Sequence, residues 1–245
     1  MKNLRDKRHL HMVPIILCAF VIATPGCGVS MKDLTRESAR ELIEDSEKFK
    51  APISAHLKDQ KELPLRPDSP DETEQQALSR LIDMHLSSNP ALAVLRHLGY
   101  AEVRGTLVKR ARVQTGTLPE PWIFNLETTV TDKGRDAAKS QGLTGDKAVP
   151  LARREMVEVT GVRKEGIRGE AEFKWKAVPT EAGKAFDPSS DTFKSLPPKL
   201  REALTRSRGV GPFASSATID WADIHKSAAA FQKYDDGWRL TGIRI

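Results

Sequence analysis

The chain has 245 residues, of which 39 are Lys or Arg and 33 are Asp or Glu, and its net charge is +6. Residues 1–26 hold four of the basic residues and one acidic residue, so the remainder carries only about +3. This balance argues against nucleic-acid binding, which favours a strongly basic face. The remainder is long enough to bury one ample core or two small ones.

The N-terminus combines a basic head with a short apolar run. Four basic residues within the first eight positions precede an apolar stretch from Met12 to Ala23. A transmembrane helix needs roughly 20 apolar residues, so this stretch is too short to span a bilayer and is typical of a signal peptide. We therefore expect residues 1–26 to direct export and to be removed.

Cys27 follows directly, in the segment Val21–Gly28. This arrangement resembles the signal of bacterial lipoproteins, in which the cysteine becomes the lipidated first residue of the mature protein. Gly26 supplies the small residue before the cleavage point. The usual pattern also has Leu three residues before the cysteine and a small residue next, where this chain has Thr24 and Pro25. The alternatives are an ordinary signal peptide cut nearby and an uncleaved N-terminal anchor.

The resemblance implies a location for the protein. A multiply acylated Cys27 would anchor it firmly to a membrane, whereas one acyl chain binds only marginally. The chain's other cysteine, Cys18, lies in the apolar run, so processing leaves no intramolecular disulfide. In Gram-negative lipoproteins, Asp directly after the lipidated cysteine commonly signals retention in the inner membrane, and this chain has Gly28 at that position. The expected location is therefore the outer membrane, facing the periplasm, if the source is Gram-negative.

The elements that follow are predicted from periodicity and capping residues. Residues 31–50 are predicted to form an amphipathic helix that Thr35 is placed to cap, and the proline-interrupted residues 51–69 are predicted to be irregular. Ser69 and Pro70 predict the start of the next helix.

Asn89-Pro90 predicts the start of a further helix over residues 91–98, which ends at Gly99, and strands over residues 101–113 and 122–130 follow. With a short helical stretch at residues 136–140, this order resembles a winged-helix domain covering roughly residues 35–142. The helix at the recognition position is mostly apolar and offers one arginine, whereas a helix in the major groove needs several polar side chains. We expect a scaffold that does not bind nucleic acid.

Residues 141–150 are predicted to be a linker, and strand patterns dominate the remainder. Along the second strand, small and aromatic residues alternate with glutamates and lysines, which is typical of an antiparallel sheet with one wet face. The predicted elements are strands 155–164, 168–178 and 213–224, a helix at 199–206, and a closing hairpin of strands 226–234 and 238–245.

The segment Phe231–Leu240, with its Asp235-Asp236-Gly237 turn, resembles the terminal hairpin of cone-shaped domains of the ketosteroid-isomerase and nuclear-transport-factor type. The likeness covers residues 150–245. The predicted fold class is α+β, with N-terminal helices and a β-hairpin followed by a curved antiparallel sheet with a short covering helix. The predicted divisions are a lipoprotein signal peptide (1–26), a helical, winged-helix-like domain (27–142) and an antiparallel β-rich domain (150–245).

No residue pattern predicts catalysis, a metal site or a cofactor, so Cys27 is the only predicted site residue. Asp220 and Asp223 are interpreted as solvated residues of a strand and its end. The Gly209–Gly211 segment precedes a strand, where a phosphate loop would precede a helix. The histidines lack metal-ligand spacing, and the tryptophans are interpreted as packing residues. These residues are His56, His85, His97, His225, Trp122, Trp175, Trp221 and Trp238.

Two classes of function remain open. The preferred hypothesis is a membrane-anchored envelope lipoprotein with a non-enzymatic binding or structural role, whose partner is another envelope protein that contacts the curved sheet or a strand edge. The alternative is a small-molecule-binding protein or an enzyme with a pocket between the sheet and its covering helix. A passive structural lipoprotein is a third hypothesis.

Overall fold

The computed structural model describes residues 32–69, 71–109, 121–143, 145, 147–206 and 221–245. Its fold is α+β, as predicted, with a strongly curled five-stranded sheet and a smaller three-stranded sheet. The helices are α1 (Arg36–Glu44), α2 (Glu47–Lys50), α3 (Glu74–Ser88), α4 (Pro90–His97), α5 (Asp132–Ser140), the 3₁₀ helix η1 (Gly183–Phe186), α6 (Asp191–Ser195) and α7 (Pro198–Arg206). The strands are β1 (Ile53–His56), β2 (Gln60–Leu65), β3 (Ala101–Lys109), β4 (Trp122–Val130), β5 (Ala148–Glu165), β6 (Arg168–Pro179), β7 (His225–Tyr234) and β8 (Gly237–Arg244).

The five-stranded sheet has the order β1-β5-β6-β7-β8, and every neighbouring pair is antiparallel. Its two hairpin turns contain Gly166 (φ 58°) and Gly237 (φ 133°), backbone conformations that favour glycine. The alternation predicted for β6 is confirmed, because its small and aromatic residues are all buried on one side of the sheet. These residues are Ala171, Phe173, Trp175 and Ala177.

Helices α1 and α2 cover this apolar side. Thr35 caps α1, as predicted, and exchanges hydrogen bonds with Ser38 in a capping box. The expected continuous helix is interrupted, because Ser46 begins α2 as a separate capped turn. The ring of Phe49 then packs edge-on against Phe173, with 6.1 Å between centroids. The helix that covers the sheet thus comes from the N-terminal part of the chain, and the predicted helix at 199–206, observed as α7, packs on α4 instead.

The three-stranded sheet has the order β2-β4-β3 and shares a second core with α3, α4 and α7. Helix α4 begins at Pro90, as its Asn89-Pro90 signal predicts, and Gly99 follows it with φ 74°. The apolar residues of α4 are buried, and Leu204 of α7 belongs to the same core. Two helices followed by a hairpin are thus observed, while the winged-helix resemblance itself stays a prediction.

Three predictions about local structure are wrong in whole or in part. Residues 51–69 are not irregular, because β1 pairs with β5 and β2 pairs with β4. Pro64 is tolerated in β2 because that strand lies at the edge of its sheet, where a backbone donor is dispensable. Helix α3 was expected to start at Ser69, but it begins after Thr73, which forms a capping box with Gln76. The last four residues of the predicted strand 213–224 form no strand, and the others lie outside the described residues.

The two cores draw on distant parts of the chain. The core of the five-stranded sheet contains Leu34, Leu42 and Phe49 from the N-terminal part, and the other core contains Ala185 and Leu204 from the C-terminal part. Trp221 packs against both cores. The division into domains at residues 142–150 stays a prediction, and we describe the molecule by its two cores.

Candidate functional site

The side of the five-stranded sheet opposite α1 faces solvent, and we call it the outer face. Strands β5 to β8 form it, and it carries charges of both signs because each strand alternates between apolar and charged residues. Its charged side chains are Glu155, Glu158, Arg163, Glu170, Glu172, Lys174, Lys176, Lys226 and Arg244.

Ion pairs order part of the outer face. Lys174 Nζ lies 2.6 Å from Glu158 Oε1, and Lys176 Nζ lies 2.7 Å from Glu155 Oε1. The hydrogen bonds from these lysines lower the pKa of both carboxyl groups below the usual range. Exposed pairs of this kind add little stability. They place opposite charges side by side across β5 and β6.

A continuous groove crosses the outer face. A volume of about 600 Å³ is lined by Thr160, Glu172, Lys174, Lys226 and Arg244 among others, and a neighbouring one of about 380 Å³ lies beside Arg168 and Gln232. A smaller volume of about 200 Å³ shares lining residues with both. The floor is open at Gly161, where an added Cβ would meet no atom within 4 Å.

Not every charge in the groove is neutralised. Lys226 lies directly opposite Lys174 in the β6–β7 register, and only Lys174 has an acidic partner among the described residues. Glu172 and Arg163 likewise make no ion pair with another described side chain. Like charges placed opposite one another repel. The Lys174–Lys226 end of the groove therefore favours an acidic group from a binding partner.

A second cluster lies at the apolar side of the sheet. The ring of His225 stacks on Trp175, with centroids 4.3 Å apart, and the Arg154 guanidinium lies 5.5 Å from the Trp175 centroid. Trp175 Nε1 donates to Ser227 Oγ, and Arg154 donates to the backbone carbonyl of Ala51. Burial lowers the pKa of Arg154. The cluster ties the end of α2 to the sheet, so its role is structural.

The half-buried position of Arg154 was not predicted, although the sequence contains a signal. It occupies the same phase of β5 as the buried residues Ala152 and Met156, two positions to either side. A charged residue in the apolar phase of a strand needs hydrogen-bond acceptors within reach. The carbonyl of Ala51 is such an acceptor, and it comes from a segment about a hundred positions earlier in the chain.

The predicted site residues are dispersed. Cys27, Asp220 and Gly209 lie outside the described residues, and Asp223 is exposed. His85 is half-buried on α3, where burial lowers its pKa. In the described ranges, no group of three or more His, Cys, Asp or Glu side chains is placed to hold a metal ion.

The four tryptophans pack in or beside the cores, as interpreted from the sequence. Trp175 and Trp238 are buried in the core of the five-stranded sheet. Trp122 packs edge-on against Phe124, with 6.1 Å between centroids, and Trp221 is half-buried.

Comparison of the chain with family models, with curated proteins and with solved structures gave no match. No helix in the described part of the chain is both long enough and apolar enough to cross a membrane.

Proposed function

We propose that the chain is an exported lipoprotein, anchored through acylated Cys27, that binds another envelope protein across the outer face of its five-stranded sheet. The observation that carries the binding role is the open groove, in which Lys226 has no acidic partner among the described residues. The anchor rests on the basic head, the short apolar run and the position of Cys27.

The packing between the sheet and its covering helices favours this role over the alternative. A small-molecule site of the expected kind needs a cavity between the sheet and the helix that covers it. In the described part of the chain, this space is filled by buried side chains, among them Ile43, Phe49 and Phe173. The outer face, in contrast, is open and charged.

The charges of the groove define the chemistry of the partner. The fixed pairs Lys174–Glu158 and Arg244–Glu170 border a floor that includes Ala228. A polypeptide segment with an acidic side chain near Lys226 would complete the charge pattern, and charge complementarity of this kind supplies specificity more than raw affinity. The proposed partner is therefore a protein with an acidic surface segment.

Photo-crosslinking in the native envelope tests the binding role. A photoreactive residue at Lys226 should give a discrete cross-linked band, and the same residue at Lys139 should not. Lys139 is a matched control because it is also an exposed lysine without an ion pair to a described residue, but it lies on α5, away from the outer face. Equal cross-linking at both positions, or none at Lys226, would contradict the proposed interface.

Substitution of the cysteine tests the anchor separately. The Cys27→Ala protein should lose fatty-acid labelling and leave the membrane fraction, because the acylated thiol is removed. The Cys18→Ala protein should keep both properties, because Cys18 belongs to the segment that is removed. Labelling of the Cys27→Ala protein at the wild-type level would exclude lipidation at this residue.

A further inference from the structure

The described chain begins at one end of the five-stranded sheet, beside the β5–β6 turn. Lys164 Nζ lies 3.0 Å from Asp33 Oδ1, and this pair lowers the pKa of Asp33. Leu34 is buried against Gly169, where an added Cβ would come within 2.4 Å of Leu34 Cδ2. The segment that leads back to Cys27 is therefore attached at this end of the sheet.

The turns of two hairpins lie side by side there, and we call this surface the hairpin end. The backbone N–H of Lys233, next to the β7–β8 turn, donates to the carbonyl of Ile167 in the β5–β6 turn at 2.8 Å. Each turn exposes one large side chain: Ile167 is 61% exposed and Tyr234 is 44% exposed. An aliphatic side chain beside a tyrosine suits the boundary between lipid headgroups and acyl chains.

Charged side chains of both signs surround these two residues. Asp33 is paired with Lys164 and Asp236 with Arg239, while Glu165 and Asp235 make no ion pair with another described side chain. The Arg239 guanidinium also lies 5.2 Å from the centroid of the Tyr234 ring. Long basic side chains can extend toward phosphates while their stems cover apolar surface. The basic residues of the hairpin end are Lys164, Arg168, Lys233 and Arg239.

We propose that the hairpin end rests on the surface of the bilayer that holds Cys27, with Ile167 and Tyr234 inserted among the lipid headgroups. This inference depends on the proposed lipidation. Four residues lie between Cys27 and Lys32, and the five steps from one Cα to the next span at most about 18 Å in an extended chain. Because Asp33 and Leu34 are fixed to the hairpin end, the anchor keeps this surface close to the lipid.

This orientation places the Lys174–Lys226 end of the groove above the membrane. Lys226 lies opposite Lys174 in the β6–β7 register, and Lys174 lies six residues along β6 from Arg168. At a rise of about 3.3 Å per residue, six residues span about 20 Å. The Lys174–Lys226 end of the groove would then face a partner about 20 Å from the hairpin end.

Site-specific fluorescence on the acylated protein tests the orientation. Acylation occupies the thiol of Cys27, so Ile167→Cys and Tyr234→Cys each provide a single site for an environment-sensitive dye. The protein is reconstituted into vesicles of phosphatidylethanolamine and phosphatidylglycerol that contain nitroxide-labelled lipid. Ile224→Cys is the matched control, because Ile224 is 54% exposed and precedes β7 at the opposite end of that strand.

The expected result is a blue shift and strong quenching at positions 167 and 234, with neither at position 224. Equal signals at all three positions, or quenching confined to position 224, would overturn the orientation. A blue shift that appears without lipid and grows with protein concentration would assign the hairpin end to contact with a second copy. Flotation of the acylated protein is measured first, because failure to float with the vesicles would refute the anchor itself.

Discussion

The contact between η1 and β5 lies in the core that contains the three-stranded sheet, and it gives a sharp test of the packing there. Gly183 lies in η1, and its N–H donates to Thr180 Oγ1, while the N–H of Thr180 donates to the carbonyl of Leu151 in β5. A Cβ added to Gly183 would lie 1.7 Å from that carbonyl oxygen and 2.7 Å from its carbon. We therefore predict that Gly183→Ala destabilises the protein strongly.

The size of the predicted loss in stability follows from the backbone movement that the added Cβ requires. Cβ atoms essentially never come closer than 3.0 Å to another heavy atom, so backbone atoms must separate by about 1.3 Å. Overpacking costs about 1–3 kcal/mol, and the upper end applies because the obstacle is a backbone carbonyl. For a chain of this size, a loss of about 3 kcal/mol lowers Tm by about 6–12 °C.

Thermal unfolding followed by circular dichroism measures this effect, and two other glycines calibrate it. At Gly105 the added Cβ would lie 2.1 Å from Leu78 Cδ1, a side-chain end that can rotate, so Gly105→Ala should cost about 1 kcal/mol. Gly242→Ala adds a Cβ to open space and should be neutral or slightly stabilising. If Gly183→Ala unfolds at the same temperature as Gly242→Ala, the contact between η1 and β5 is refuted.

Two further predictions concern pH. The N–H of Thr128 and then the Lys147 ammonium lower the pKa of Asp59, so stability from this carboxylate is present above its unfolded pKa and lost as pH falls through its folded pKa. Asp59→Asn should therefore lower Tm at neutral pH and leave it nearly unchanged below the folded pKa; an equal loss at both pH values would contradict this. Burial lowers the pKa of His85, so stability should fall as pH drops below about 6.5, the usual histidine value. His85→Gln should reduce the difference in Tm between pH 7.5 and pH 5, and an unchanged difference would show that other groups cause it.

Local patterns predicted those elements whose signals lie within a few residues. The β5–β6 and β7–β8 hairpins follow from alternation and from the turn glycines Gly166 and Gly237. Helix α4 follows from Pro90 at its first turn and Gly99 after its end. Capping, turn geometry and alternation act over short distances, so a single sequence contains enough information to predict them.

Elements whose partners are distant were not predicted. Residues 51–69, which include β1 and β2, contain interrupting prolines and no regular alternation, and the two strands exist because β5 and β4 supply the missing hydrogen bonds. The outer-face groove could be predicted only in part. Alternation indicated a wet face on β6, whereas the placement of Lys226 opposite Lys174 depends on the β6–β7 register across about fifty residues.

The sequence by itself predicted an export signal, and it determined the hairpins of the larger sheet. Only the tertiary structure decided that α1 packs on β5 and β8, whose residues come more than a hundred positions later, and that Asp33 and Leu34 lie at the hairpin end. The physical reason is that the hydrophobic effect is not directional: it favours the burial of an apolar face without selecting the surface that covers it. An amphipathic helix specifies that one of its faces must be covered, and the long-range strand register decides which surface covers it.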